Sequence, residues 1–249
     1  MTSKPEPTFD DISVQEEGRI YFSDGNPWPE GHRITEFYLD ADLWLPRTPY
    51  SKRSLPTLWV AHNLETERYY DNDKQIVAGD EDGESDWGSK IVWNNYHSCS
   101  IGGQFYECLP DNPFRHSDLS GKRFRIDPLP AASQQLLDDQ LTFSIYLLGH
   151  DAVADHCLEF GPWDGRCFPA KWSGRIALAY AGETDFCYGF DLTARLAGIR
   201  RVYVRQHDQP MPSHDELKKM LGSVLIDGEN FGIEEKHNTR LIPPSEELS

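Results

Sequence analysis

The chain has 249 residues, and its 41 acidic against 24 basic side chains give a formal net charge of −17. A field of that sign repels nucleic-acid phosphates and anionic lipids, so we expect no nucleic-acid partner and no membrane partner. The longest apolar runs fall far short of the about 20 residues that a membrane-spanning helix needs, whereas 38% hydrophobic and 12% aromatic residues suit a packed core.

The cysteines and the first residues bear on the compartment. Residues 1–11 read MTSKPEPTFDD and show no apolar core of a secretory signal. The five cysteines form no Cys-x-x-Cys pair; they are Cys99, Cys108, Cys157, Cys167 and Cys187. An odd number of cysteines without an export signal is typical of reduced thiols. We therefore predict a cytoplasmic protein.

Apolar and polar residues alternate with period two along much of the chain, which predicts strands with one buried and one wet face. The clearest case is Arg33–Leu45, where Phe37 and Leu39 lie on the apolar face. The opposite face carries Glu36, Tyr38, Asp40, Asp42 and Trp44. Weaker alternation predicts further strands at Gly18–Phe22, Thr57–Leu64, Lys90–Cys99, Lys122–Ile126, Thr142–Leu148, Trp172–Tyr180, Asp185–Phe190 and Ile199–Arg205.

Three short segments have helical spacing. Ser213 and Glu216 form an S-x-x-E capping box, which predicts a helix beginning after Ser213. A second helix is predicted from Ala131 to Asp139, and Leu192–Leu196 is a third candidate. Together the elements predict an α+β, mostly β fold of sandwich-like antiparallel sheets with a few peripheral helices. We expect a flexible lead-in at residues 1–17, a single β-rich domain at 18–242 and a mobile tail at 243–249.

The segment Asp71–Asp86 concentrates seven carboxylates between two predicted strands. So many charges cannot be buried unpaired, so we expect an exposed loop. It is interpreted as a solvated charge run, a protein-binding patch or, less directly, a calcium loop without the EF-hand spacing. Exposed aromatic residues beside carboxylates suit the docking of a cationic partner. The predicted partner-binding residues are Asp80, Glu81, Asp82, Glu84, Asp86, Trp87 and Trp44.

Two other groups are candidates for chemistry. His150, Asp151 and His156 combine imidazole and carboxylate ligands that suit zinc or iron, although without a recognised spacing. The dipeptide His150-Asp151 resembles that of the HD-type phosphohydrolases, whose sites are helical and need further His and Asp residues. The run Asn94–Cys99 pairs His97 with Cys99, the residue types of a thiol nucleophile and its base.

No complete catalytic template is present: the sequence lacks G-x-S-x-G, G-x-x-x-x-G-K-[ST] and G-x-G-x-x-G motifs. We therefore predict no catalytic residue and no cofactor. The leading hypothesis is an acidic protein-binding module that docks a basic partner protein, for example an immunity or antitoxin-type inhibitor. The alternatives are a metal-dependent hydrolase using the His/Asp cluster and a carbohydrate- or peptide-binding β-sandwich using Trp44 and Tyr38.

Overall fold

The structure is a computed structural model that describes residues 18–23, 30–46, 54–67, 100–131, 141–146, 150–179, 182–205, 211–235 and 239–243. These residues form eleven strands and one α-helix. The strands are β1 (Arg19–Phe22), β2 (His32–Trp44), β3 (Thr57–Thr66), β4 (Ser100–Cys108), β5 (Arg123–Ile126), β6 (Phe143–Tyr146), β7 (His150–Phe160), β8 (Cys167–Ala177), β9 (Tyr188–Arg205), β10 (Gly232–Glu235) and β11 (Thr239–Ile242). The helix is α1 (His214–Val224), and short 3-10 turns span His116–Leu119 and Gly228–Asn230.

Hydrogen bonding places the strands in the order β1-β2-β3-β4-β6-β7-β8-β9-β11-β10, with β5 added on β7. The pairings with a defined register are antiparallel except for that of β2 with β9. The chain divides into two compact units. Unit 1 comprises Met1–Phe37, Leu64–Gly102 and Ser120–Leu196, and unit 2 comprises Tyr38–Asn63, Gly103–Leu119 and Ala197–Ser249. Strands β2, β3, β4 and β9 contribute residues to both units.

The core of unit 1 is built on β7, which pairs with β5 and β6 and also with β8. Alternation along β8 directs Trp172 and Ile176 inward, where both are almost fully buried. The Trp172 ring stacks on Phe37 at 6.3 Å and meets the edge of Phe190 at 5.2 Å. Burial of such large aromatic side chains is a main source of stability in a domain of this size.

Unit 2 contains the parallel pairing, in which residues 38–44 of β2 lie beside residues 197–205 of β9. On the far side of β9 lies β11, followed by β10. Helix α1 buries Leu217, Leu221 and Val224, which follow helical spacing. The amide of Phe114 donates to the Val224 carbonyl at 2.8 Å and so ties a loop to the end of the helix.

The mostly β, largely antiparallel prediction is confirmed, whereas the sandwich arrangement is not. The helix predicted from Ser213 is also confirmed, since the Ser213 hydroxyl accepts from the Glu216 amide and the Glu216 carboxylate accepts from the Ser213 amide. The helix at Leu192–Leu196 is wrong, because these residues lie in β9 and pair in part with β1.

Other predictions fall on parts of the chain that the structure leaves out. The strand at Lys90–Cys99, the lead-in 1–17 and the tail from position 244 lie outside the described residues. The same holds for the second predicted helix beyond Ala131. Among the described residues no helix is long and apolar enough to cross a membrane, and α1 has only 11 residues.

Candidate cation-binding site

Most of the predicted partner-binding residues cannot be located. Asp80, Glu81, Asp82, Glu84, Asp86 and Trp87 lie outside the described residues. The pair His97 and Cys99 falls in the same undescribed stretch, 68–99. Their roles stay predictions.

Trp44 does lie in the described part, at the end of β2, half-buried and opposite Arg205 of β9. The carboxylates that share its polar face already have basic partners. Asp40 lies 3.4 Å from Arg201, and Asp42 lies 2.6 Å from Arg205. The face around Trp44 is therefore a mixed-charge surface, and these two carboxylates are not free for a basic partner.

The structure does not bring the candidate metal ligands of β7 together into a described metal site. His156 is 1% exposed, and its Nδ1 accepts from the Trp172 indole Nε1 at 3.2 Å. The Phe143 ring lies 4.7 Å from it, and burial lowers the pKa of His156 to about 3. Asp151 is buried on the same strand, and the side chain of His150 is not described. Within the described ranges, no three His, Cys, Asp or Glu side chains are placed to hold a metal ion.

Unit 1 contains a pocket of about 360 Å³ that lies along β1, β8 and β9. We call it the β1–β9 pocket. Its lining includes Tyr21, Ser23, Asp155, Arg175, Gly189 and Asp191. Aromatic rings, two carboxylates, three hydroxyls and one guanidinium therefore surround a small open volume.

The register of β1 on β9 assembles one wall of the pocket. Tyr21 lies directly opposite Asp191, and antiparallel partners of this kind project to the same face with Cβ atoms about 5 Å apart. The Ser23 amide donates to the Gly189 carbonyl at 2.9 Å, and the Gly189 amide donates to the Ser23 hydroxyl at 3.1 Å. This reciprocal pair fixes the end of β1 against β9.

Two glycines, Gly174 and Gly189, contribute to the lining of the pocket. A Cβ on Gly174 would lie 2.6 Å from Cε1 of Phe190 and 2.9 Å from Nδ1 of His156, so no larger residue fits without movement. A Cβ on Gly189 would lie 3.3 Å from the Gly174 carbonyl oxygen, a tight contact. The close approach of β8 and β9 therefore depends on the lack of side chains here.

A β-bulge places the second carboxylate. The register of β7 on β8 shifts between Ala154 and Cys157, and Asp155 at the bulge has a left-handed φ of 50°. The Asp155 amide donates to the Asp127 carbonyl at 2.7 Å. The Asp127 carboxylate in turn accepts from the Thr142 amide at 2.8 Å, which fixes the neighbouring turn. The bulge thus directs Asp155 to the pocket and away from the regular alternation of the strand.

The electrostatics of the pocket favour a positive ligand. Burial raises the pKa of Asp191, because water is partly removed from the carboxylate. In the part of the chain that the structure covers, neither Asp155 nor Asp191 has a basic side chain at ion-pair distance. The one lining guanidinium, Arg175, donates instead to the carbonyls of Phe186 and Cys187 at 3.2 and 3.3 Å.

The pocket residues carry no motif that would mark them in the sequence. The alternation of Gly18–Phe22 indicated a strand, but nothing local shows that Tyr21 faces Asp191, which is distant in the chain. Asp155 lies one residue before His156, and no local pattern indicates that it lines a pocket. The chain matches no protein-family model, no curated protein and no solved structure.

Proposed function

We propose that the protein is a binding module that docks a basic partner protein. An immunity or antitoxin-type inhibitor that masks a cationic toxin is one concrete form. The observation that carries the proposal is the exposed Asp191 carboxylate, which in the described part of the chain has no basic side chain at ion-pair distance and lies opposite Tyr21, a residue that is 43% exposed. A lysine or arginine side chain of the partner would fit between them.

The chemistry of the pocket supports this partner class. A cation over an exposed tyrosine ring gains about 0.5–1 kcal/mol, and more where water is excluded. A carboxylate that has lost part of its hydration without gaining a basic neighbour regains stabilisation when a cation arrives. Asp155 supplies a second negative charge to the same volume.

The charge of the whole chain supports the same partner. A surplus of 17 negative charges attracts a basic protein over a distance of about 10 Å at ordinary ionic strength. Such a field raises the association rate, whereas a few aromatic and charged contacts set the residence time. The acidic segment Asp71–Asp86 would contribute to the field, and the β1–β9 pocket would supply the close contact.

The test uses a short oligo-lysine peptide as the probe, with binding followed by calorimetry and by NMR. We expect Asp191→Asn to weaken binding roughly tenfold, the equivalent of about 1.4 kcal/mol. Tyr21→Ala removes one cation–π contact and should weaken binding roughly two- to fivefold. Amide shifts on peptide addition should centre on β1 and the start of β9.

A matched control separates the pocket from the general field. Asp111→Asn removes one charge from an exposed position in unit 2, far along the chain from the pocket strands. We expect it to leave the affinity within about twofold of the wild type, since an isolated exposed charge contributes little. If Asp111→Asn and Asp191→Asn weakened the affinity for the peptide equally, binding would depend on net charge alone, and the pocket proposal would fail.

A carbohydrate ligand is the second candidate for the same pocket. The exposed Tyr21 ring beside Ser23, Arg175 and Asp191 also offers the stacking surface and the mixed donors and acceptors that a sugar requires. Of the two residues first considered for sugar binding, Tyr38 is only 4% exposed and Trp44 is half-buried. Retention on immobilised glycans that is lost in Tyr21→Ala, together with no oligo-lysine binding, would favour this candidate.

A further inference from the structure

Unit 2 carries a second surface that the proposed function does not use, a mixed-charge surface on which arginines are the more exposed charges of its ion pairs. Four arginines surround two tyrosines on the strands β2, β9 and β11; they are Arg200, Arg201, Arg205 and Arg240, around Tyr38 and Tyr203. We call this surface the arginine face. In the register, Asp42 lies opposite Tyr203, and Tyr203 lies opposite Arg240, so the side chains of three neighbouring strands form one row.

The tyrosine rings hold the guanidinium groups in place. Arg200 and Arg201 lie over the Tyr38 ring at 4.7 and 5.2 Å from its centre. Arg205 and Arg240 lie over the Tyr203 ring at 5.4 and 5.3 Å. Stacked guanidinium groups lose less freedom when they bind a ligand, because their positions are already restricted.

The carboxylates on this surface lie deeper than the guanidinium groups. The side chain of Asp42 is 9% exposed, whereas that of its partner Arg205 is 49% exposed. The same order holds for the half-buried pair of Asp40 with Arg201. In the covered part of the chain, Arg240 has no carboxylate at ion-pair distance, although Glu234 lies opposite it in the register. The outer layer of the arginine face is therefore positive.

We propose that the arginine face docks an extended acidic segment of a partner protein. The spacing favours a peptide over a single anion. Arg201 and Arg205 are four residues apart on one strand, which separates them by about 13 Å. A phosphate group cannot span that distance, whereas an extended peptide places side chains on one face at intervals of about 6.8 Å.

This surface is independent of the proposed function. It lies in unit 2, its more exposed charges are arginines, and it selects a ligand that the β1–β9 pocket would repel. Bidentate arginine–carboxylate contacts would give both direction and affinity. An acidic segment bound here meets repulsion from the rest of the chain, so binding depends on the local arginines and not on net charge.

The experiment titrates the full chain with a short oligo-glutamate peptide and, separately, with inorganic phosphate. Arg240→Gln is the main variant, because it removes a charge without leaving a buried carboxylate unpaired. We expect it to weaken peptide binding roughly tenfold. Arg205→Gln should weaken binding as much. It also removes the ion-pair partner of the buried Asp42 carboxylate and should destabilise the fold, so the unfolding of this variant is measured in parallel.

Arg125→Gln, at an exposed position in unit 1, is the matched control and should change the affinity by less than about twofold. NMR shifts caused by the peptide should map to β9 and β11. Absence of binding, or equal affinity in the wild type and Arg240→Gln, would overturn the proposal. Phosphate that binds as tightly as the peptide would also overturn it, because a single anion would then account for the surface.

Discussion

Acidification should destabilise the protein through two histidines, the buried His156 and the half-buried His116. His116 accepts a hydrogen bond from the Ile199 amide at 3.0 Å on its Nε2, and His156 accepts one from Trp172 on its Nδ1. An accepting nitrogen carries no proton, so both rings are neutral in the folded protein. Burial lowers the pKa of His116 to about 4 and that of His156 to about 3.

The sign and size of the effect follow from proton linkage. In the unfolded chain both histidines titrate near their ordinary pKa of about 6.5. Below that pH both histidines bind a proton in the unfolded state but stay neutral in the folded state, so the free energy of unfolding falls as the pH falls. The contribution is complete above about pH 6.5 and decreases toward about pH 4. Between about pH 7 and pH 5, each histidine should cost about 2 kcal/mol, and both together about 4 kcal/mol.

Urea unfolding followed by tryptophan fluorescence at the two pH values gives the measurement. Asp191 has a raised pKa and shifts stability in the opposite direction, so the comparison is made between variants and not on the wild type alone. His116→Gln should reduce the loss between pH 7 and pH 5 by about 2 kcal/mol, whatever its stability at pH 7. The same pH dependence in wild type and variant would refute the reasoning.

Two further substitutions test the packing of the core and the start of the helix. Gly174→Ala should destabilise the protein by about 1–3 kcal/mol, because the added methyl meets Phe190, whereas Gly232→Ala has no neighbour closer than 3.5 Å and should cost less in the same urea assay. Ser213→Ala removes the hydroxyl that accepts from the Glu216 amide and should cost about 1 kcal/mol, measured by urea unfolding; no loss of stability would show that the capping box contributes nothing here.

Local patterns predicted the elements whose signals lie within a few residues. The alternation of Arg33–Leu45 corresponds to β2, and the spacing from Ser213 to Glu216 gave the start of α1. The helix prediction for Leu192–Leu196 was wrong because the leucine, alanine and arginine residues of this segment favour a helix in isolation. Pairing with β1 overrides that preference, as tertiary contacts do for many short segments.

The sites depend on contacts that no local pattern reveals. The β1–β9 pocket requires that β1 and β9 lie side by side, and the alternation within a strand does not indicate which other strand it pairs with. The carboxylates Asp40 and Asp42 were correctly placed on one face of β2, but their arginines come from β9. The pattern of β2 therefore predicted an acidic surface, because it shows the carboxylates but not the arginines that β9 contributes to the same surface.

The sharing of β9 between the two units has a consequence for the nascent chain. Arg201 pairs with Asp40 across 161 residues of sequence, and β1, which pairs with β2, also pairs with the much later β9. At a synthesis rate of about 5–20 residues per second, β1 and β2 wait roughly 10–30 s on the ribosome before those partners emerge. During that interval their hydrogen-bonding edges are open to other chains. Production of this protein in cells should therefore respond to chaperone supply more strongly than its final stability would suggest.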